Sequence, residues 1–300
     1  MPAEARTLLG AAFALAAALA ATACGPSDAG ETSFERITRE GVVRVGYANE
    51  APFAFLEPRT GRVTGEAPEV ARAVFARLGI EEVQGVLTEF SSLIPGLQAG
   101  RFDLIAAGMY VTPVRCQEIA FSAPTYSLGG AFLVASDDPY GLHGYEDVAA
   151  HEAVRLGVIA GAVEGGWALA TGVAAEQIVV FPDAPSGLAG LLAGRIDAFA
   201  VTELTAQDLQ AKSADRRVSR AEPFRDPIID GRPARGFGAF GLRREDEDLR
   251  EAIDRELAAL LGSPEHRALV APFGFGPAQL PGETTPAELC APTTAAPPGP

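Results

Sequence analysis

The segment Gly108-Met109-Tyr110-Val111-Thr112-Pro113-Val114-Arg115 sets an aromatic ring beside a Thr-Pro helix start that carries an arginine in its first turn. Arginine presents a planar fork of donors that pairs at two points with a carboxylate. A helix start adds free backbone N–H groups, which also favour an anion. The chemistry on offer is capture of a small carboxylate against an aromatic wall. The alternative is a surface arginine on an ordinary helix.

Positioning that segment needs a rigid element before it. Leu104-Ile105-Ala106-Ala107 supplies one, an apolar run that reads as a buried strand. Around it the chain alternates strand and helix. Strands are predicted at 42–47, 131–135, 154–158, 177–181, 198–201 and 237–242. Pro68 opens a helix closed by Gly79, and Ser91 or Ser92 caps a short helix ended by Gly100. Further helices run from Gly161 through Trp167 and Leu169, from Pro185-Ser186 through Leu192, over 203–209, and over 245–261. From Pro281 the chain is rich in Pro, Thr and Ala and reads as irregular apart from Cys290.

One internal echo bears on architecture. Ala99-Gly100-Arg101-Phe102-Asp103 precedes the strand at 104, and Ala193-Gly194-Arg195-Ile196-Asp197 precedes the strand at 198. Either one turn type arose twice, or the chain holds two similar α/β lobes whose strands end at a shared cleft. In the second case Tyr110, Thr202 and Glu203 face one groove.

Composition sets bounds. The chain has 300 residues, 48% hydrophobic and 21% charged, and can bury a core in one or two domains. A net charge of −15 argues against nucleic acid as a partner. Arg6 precedes an apolar run from Leu8 to Ala23, too short for a comfortable membrane span, which reads as a secretory h-region. Cys24 follows small residues, as at the lipidation site of bacterial lipoproteins, although Ala21 stands where Leu is usual. Residues 1–23 are then a lipoprotein signal peptide and 24–33 a tether, which leaves the chain exported and lipid-anchored on the extracytoplasmic side of the membrane. Ordinary signal cleavage beside an incidental Cys is the alternative. In that oxidising compartment Cys116 and Cys290 are expected to pair, with two free thiols as the alternative. No zinc site and no cofactor is expected, since no Cys-x-x-Cys occurs.

With these residues placed, the chain resembles bacterial solute-binding proteins of ABC importers, in the amino-acid-binding branch, over about 34–275. The likeness is carried by Gly46 to Phe53, Phe90 to Asp103 and Gly108 to Arg115. It implies a two-lobed α/β fold of the periplasmic-binding-protein type: first lobe 34–135, second lobe 136–236, return and tail 237–290, and a disordered tail 291–300. Crossings are expected near Val134–Asp137 and Gly236–Leu242. In that branch the arginine matching Arg115 grips the ligand carboxylate, and the aromatic matching Phe53 covers the ligand.

Departures from the branch narrow the ligand. Tyr110 replaces a small hydroxyl residue, and the Asp usually found near Thr202 is absent, though Glu203 is adjacent. Phe53, Phe90 and Tyr110 together suit a delocalised cation, because ring faces attract positive charge, and Glu50 can neutralise it. The chain is similar to the ectoine- and hydroxyectoine-binding subgroup, also at Phe181 to Ser186 and at Cys290 after Glu288-Leu289. Gly108, Glu164 and Thr202 are further candidate contacts, and Ala162 leaves only backbone N–H groups at a turn where the family carries Ser or Thr. Trp167 reads as packing or cleft rim.

The expected role is a monomer that hands ectoine or hydroxyectoine to ABC permease subunits, closing around its ligand. No phosphate-binding Gly-x-x-x-x-Gly-Lys motif is present and Lys212 is the sole lysine, so transport energy must come from another subunit. One rival is an ordinary amino-acid binder with Glu203 on the ammonium. Another is a cyclohexadienyl dehydratase-like enzyme using Glu50 and Glu164. No enzyme is expected, since His143, His151 and His266 fall in loop or outer-helix contexts and no Gly-x-Ser-x-Gly elbow occurs.

Overall fold

The computed structural model describes residues 30–213, 217–229 and 231–292. The expected signal peptide, Cys24, most of the tether and residues 293–300 lie outside the described residues.

Two five-stranded sheets form two lobes. In the first, the strands run in the order Glu82–Leu87, Val42–Tyr47, Leu104–Ile105, Gly241–Leu242, Ala120–Phe121. In the second the order is Ile178–Phe181, Leu156–Ile159, Ala198–Thr202, Gly130–Ala135, Val218–Arg220. Each sheet begins with three parallel strands in the same spatial arrangement and adds antiparallel strands at its far side. In both, the carboxyl ends of the central parallel strands lead to the interlobe cleft.

The sequence echo proves to be structural. Asp103 exchanges two bonds with Arg44: its N–H donates to the Arg44 carbonyl at 2.8 Å, and its Oδ2 accepts the Arg44 N–H at 2.8 Å. Asp197 does the same with Arg155, at 2.9 and 2.8 Å. Each aspartate thus ties the start of one central strand to its parallel neighbour. Gly100 and Gly194 precede them at φ +68° and +66°, a left-handed turn that a side chain would strain. The Asp103 carboxylate is fully buried and also accepts from the Arg44 and Arg36 guanidinium groups, so its charge is compensated.

Several elements differ from the expected ones. Gly130–Ala135, expected in the first lobe, pairs with Ala198–Thr202 and belongs to the second sheet. Its Phe132 and Val134 enter one apolar cluster and its Ala131 and Leu133 another, so the strand is buried on both faces. That is why it reads as an unbroken apolar run. The first crossing therefore precedes Gly130 rather than lying at Val134–Asp137. There Tyr126–Leu128 pairs antiparallel with Gly236–Gly238, and this short ribbon joins the lobes. The expected strand over 237–242 is two strands, because the chain leaves the ribbon before joining the first sheet at Gly241–Leu242.

Helix Glu66–Arg77 starts two residues before Pro68, which sits in the first turn where no intrahelical N–H is needed. Ser92 holds the N-cap position of helix Leu93–Gln98 without a side-chain capping bond, since a 3₁₀ turn at Phe90–Ser92 leads into it. The tail is not irregular: Thr285 and Glu288 form a capping box for helix Pro286–Cys290. Cys290 is bridged to Cys116, which joins this helix to the short helix Pro113–Cys116. His266, expected on an outer helix, is buried and shares a small cavity with Glu66 behind Tyr126.

Candidate functional site

Between the lobes lies a small cavity of about 30 Å³. The first lobe supplies Glu50, Phe53, Phe90, Gly108, Tyr110 and Arg115; the second supplies Ala162, Glu164 and Thr202. These are the nine residues singled out from the sequence, and the fold brings them together. Ile159, Val163 and Val201 also line the cavity and were missed. Ile159 and Val201 lie at or next to the carboxyl ends of central strands, where α/β sheets present ligand contacts, so the strand pattern held a signal for them.

Arg115 sits in the one-turn helix Pro113–Cys116, whose N-terminus is capped by the Thr112 hydroxyl accepting the Arg115 N–H at 3.3 Å. Its guanidinium Nη1 donates to the Tyr110 carbonyl at 2.7 Å, and Nη2 reaches the second lobe to donate to the Gly161 carbonyl at 2.8 Å. Its carbon centre lies 5.5 Å from the centre of the Phe90 ring, a cation–π distance. Neither backbone partner carries charge. Burial pulls the pKa of Arg115 down to about 10, so it remains cationic at neutral pH. An anion would restore what burial withholds.

The aromatic residues are held by packing. Tyr110 pairs with Gly238 of the interlobe ribbon, and its ring lies flat against Gly236, where a Cβ would come within 1.8 Å of it. Its hydroxyl is buried with no hydrogen-bond partner among the described residues, and burial holds its pKa well above the ordinary value. The Phe53 ring lies tilted against Tyr126 at 5.4 Å and edge-on to Phe275 at 5.8 Å. Gly108, at φ +71°, passes under the Phe53 ring, where a Cβ would come within 2.6 Å. Trp167 packs against the apolar clusters of both lobes and does not line the cavity.

Two carboxylates line the cavity with the arginine. Burial pushes Glu50 up to about 7, countered in part by a hydrogen bond from the Thr205 hydroxyl at 2.8 Å. Burial also pushes Glu164 up to about 7, and the Glu50 charge adds to that rise. Thr205 was missed because a threonine inside a helix leaves no sequence signal. Glu203 stays outside the cavity, its Oε1 3.5 Å from Gln279 Nε2 on the tail. The site thus pairs one permanent cation with two acids across an aromatic box, which is the complement of a zwitterion. Among the described residues no group of three or more His, Cys, Asp or Glu is arranged to hold a metal ion.

Residues 43–276 match the family model of bacterial extracellular solute-binding proteins, family 3. The chain belongs to that family. This family-3 solute-binding protein is 38% identical over 294 residues to a probable amino-acid ABC transporter periplasmic-binding protein of Sinorhizobium fredii, covering 96% of each chain. It is 28% identical over 206 residues to the histidine-binding periplasmic protein of Salmonella typhimurium, covering 67% of this chain and 75% of that one. Its fold matches the crystal structure of EhuB in complex with hydroxyectoine at a TM-score of 0.78 and 36% identity, covering 86% of this chain and 98% of that one. In this solute-binding protein, no helix among the described residues is long and apolar enough to cross a membrane.

Proposed function

We propose that this chain captures ectoine or hydroxyectoine outside the cytoplasm and delivers it to the permease of an ABC importer. One observation carries the reading: Arg115, Glu50 and Glu164 line one cavity with Phe53, Phe90 and Tyr110. Arg115 takes the ligand carboxylate, the rings take a diffuse cation, and Glu50 balances its charge. The likeness to a structure holding hydroxyectoine supports this ligand class. A ligand of about ten non-hydrogen atoms reaches micromolar affinity within the usual ligand-efficiency ceiling. Cys24 carries the lipid anchor, and the chain acts as a monomer without a cofactor.

An α-amino acid is the second reading, favoured by the names of the sequence relatives. The position of Glu203 outside the cavity weighs against it. The deciding experiment is a melting scan with ectoine, hydroxyectoine, proline, glycine betaine and a panel of amino acids. A ligand at about a hundredfold over its dissociation constant adds about 2.7 kcal/mol. A shift confined to the two ectoines supports the first reading, and a shift with one common amino acid supports the second. Incubation with prephenate tests the remaining enzymatic use of Glu50 and Glu164, and an aromatic product would overturn both binding readings.

A further inference from the structure

Glu50 occupies a special place in the cleft. It lines the ligand cavity on one side and, on the other, an outer groove walled by Phe55, Leu56, Pro185 and Leu188. Glu50 is therefore part of the partition between the two. The group that holds it comes from the opposite lobe. Thr205, fully buried in helix Glu203–Lys212, donates its hydroxyl to Glu50 Oε1 at 2.8 Å. That hydroxyl in turn accepts from the Thr202 hydroxyl at 3.0 Å, and Thr202 Oγ1 caps the helix by accepting the Thr205 N–H at 3.1 Å. The chain Thr202 to Thr205 to Glu50 thus runs from the helix cap of one lobe to a ligand-facing acid of the other.

We propose that Thr205 is a positioning residue that latches Glu50 across the cleft, aims its carboxylate at the ligand cation and closes the cavity toward the outer groove. The latch forms only when the lobes are together. A donor held in a buried setting favours the charged form of the acid it serves. The charged groups around Glu50 do not replace it: Asp208 on the same helix and Glu164 in the ligand cavity are acidic, Lys212 in the outer groove is paired with Asp208 at 2.7 Å, and Arg115 in the ligand cavity donates to the Tyr110 and Gly161 carbonyls. Closure and ionisation of Glu50 are therefore coupled through one hydroxyl. The ligand part of this inference rests on the zwitterion reading above; the Thr205–Glu50 link does not.

The test uses the full chain with Thr205→Val, which keeps the shape and removes the donor, and Thr205→Ser, which restores it. In protein held closed with the ligand that the melting scan identifies, carboxyl NMR follows the titration of Glu50. The valine variant is expected to titrate about one to two pH units higher than wild type, and the serine variant close to wild type. Stopped-flow release of hydroxyectoine is expected to be roughly tenfold faster in the valine variant and near wild type in the serine variant. A valine variant with an unchanged Glu50 titration and unchanged release overturns the latch. If the valine variant fails to fold, Thr205→Ala carries the same comparison. If wild type does not bind hydroxyectoine while the titration moves as expected, the ligand reading fails and the latch stands.

Discussion

The guanidinium of Arg115 in the first lobe donates to the carbonyl of Gly161 in the second at 2.8 Å. Arg115 also lines the ligand cavity, so the residue that would hold the ligand also fastens the lobes. Closure and binding share a side chain, which is the differential contact that a shift between open and closed forms requires.

Removing that side chain tests the centre of the site. Arg115→Ala is expected to weaken ligand binding by about 2–5 kcal/mol, because the ligand carboxylate is left buried without its partner. Arg115→Lys keeps the charge but loses the planar fork and is expected to recover only part of the loss. Isothermal titration of the ligand identified by the melting scan reads both values. Wild-type affinity in the alanine variant would remove Arg115 from the site.

The aromatic box gives a smaller, graded effect. Phe90→Ala is expected to cost about 0.5–2 kcal/mol of affinity through lost cation–π contact and packing. Phe90→Tyr keeps the ring face and is expected to stay near wild type by the same titration.

Gly236 supports Tyr110 by having no side chain. Gly236→Ala forces a methyl group to within 1.8 Å of the Tyr110 ring, so the ring or the interlobe ribbon must move. Overpacking of this kind costs about 1–3 kcal/mol of stability. A loss of ligand affinity is expected alongside, measured by melting and titration of the same preparation.

Glu66 makes stability depend on pH. Burial raises its carboxyl from 4.5 to about 8 in the folded protein. Between those values the folded chain holds a proton that the unfolded chain releases, so this group's contribution to stability falls as pH rises from about 5 to 8. Below the unfolded value the contribution is fully present. Glu66→Gln mimics the protonated form and is expected to flatten the slope, so that it melts higher than wild type at pH 8. Melting temperatures from pH 5 to 9 decide it, and parallel profiles would sink the assignment.

The Cys116–Cys290 bridge spans 174 residues of sequence. In the chain-entropy view a loop of that length contributes about 5 kcal/mol as an upper figure. Denaturant melts with and without reductant are expected to separate by a few kcal/mol, and Cys290→Ser is expected to follow the reduced form.

Much of this protein is decided by its sequence alone. Alternation of apolar runs with glycine-ended helices specifies two α/β lobes, because each strand and helix carries its period locally. The repeated Gly-Arg-x-Asp turn marks the same strand junction in each lobe, and it does so through backbone geometry and a side-chain bond within the unit. Tyr110, Arg115 and Thr202 were legible because they lie at or just beyond strand ends, which meet at the cleft, whereas Phe53, Phe90, Ala162 and Glu164 came from the resemblance to solute-binding proteins.

What only the tertiary structure decided are relations between distant segments of chain. The sheet that owns Gly130–Ala135 follows from its pairing with Ala198–Thr202, and a strand buried on both faces carries no mark of its neighbour. Burial of His266 beside Glu66 depends on the tail folding back over the first lobe. Thr205 meets Glu50 across 155 positions of sequence, through a hydroxyl that resembles any other helical threonine until the lobes come together. Local periodicity cannot encode such a contact, because its energy exists only between surfaces that the finished fold brings within hydrogen-bonding distance.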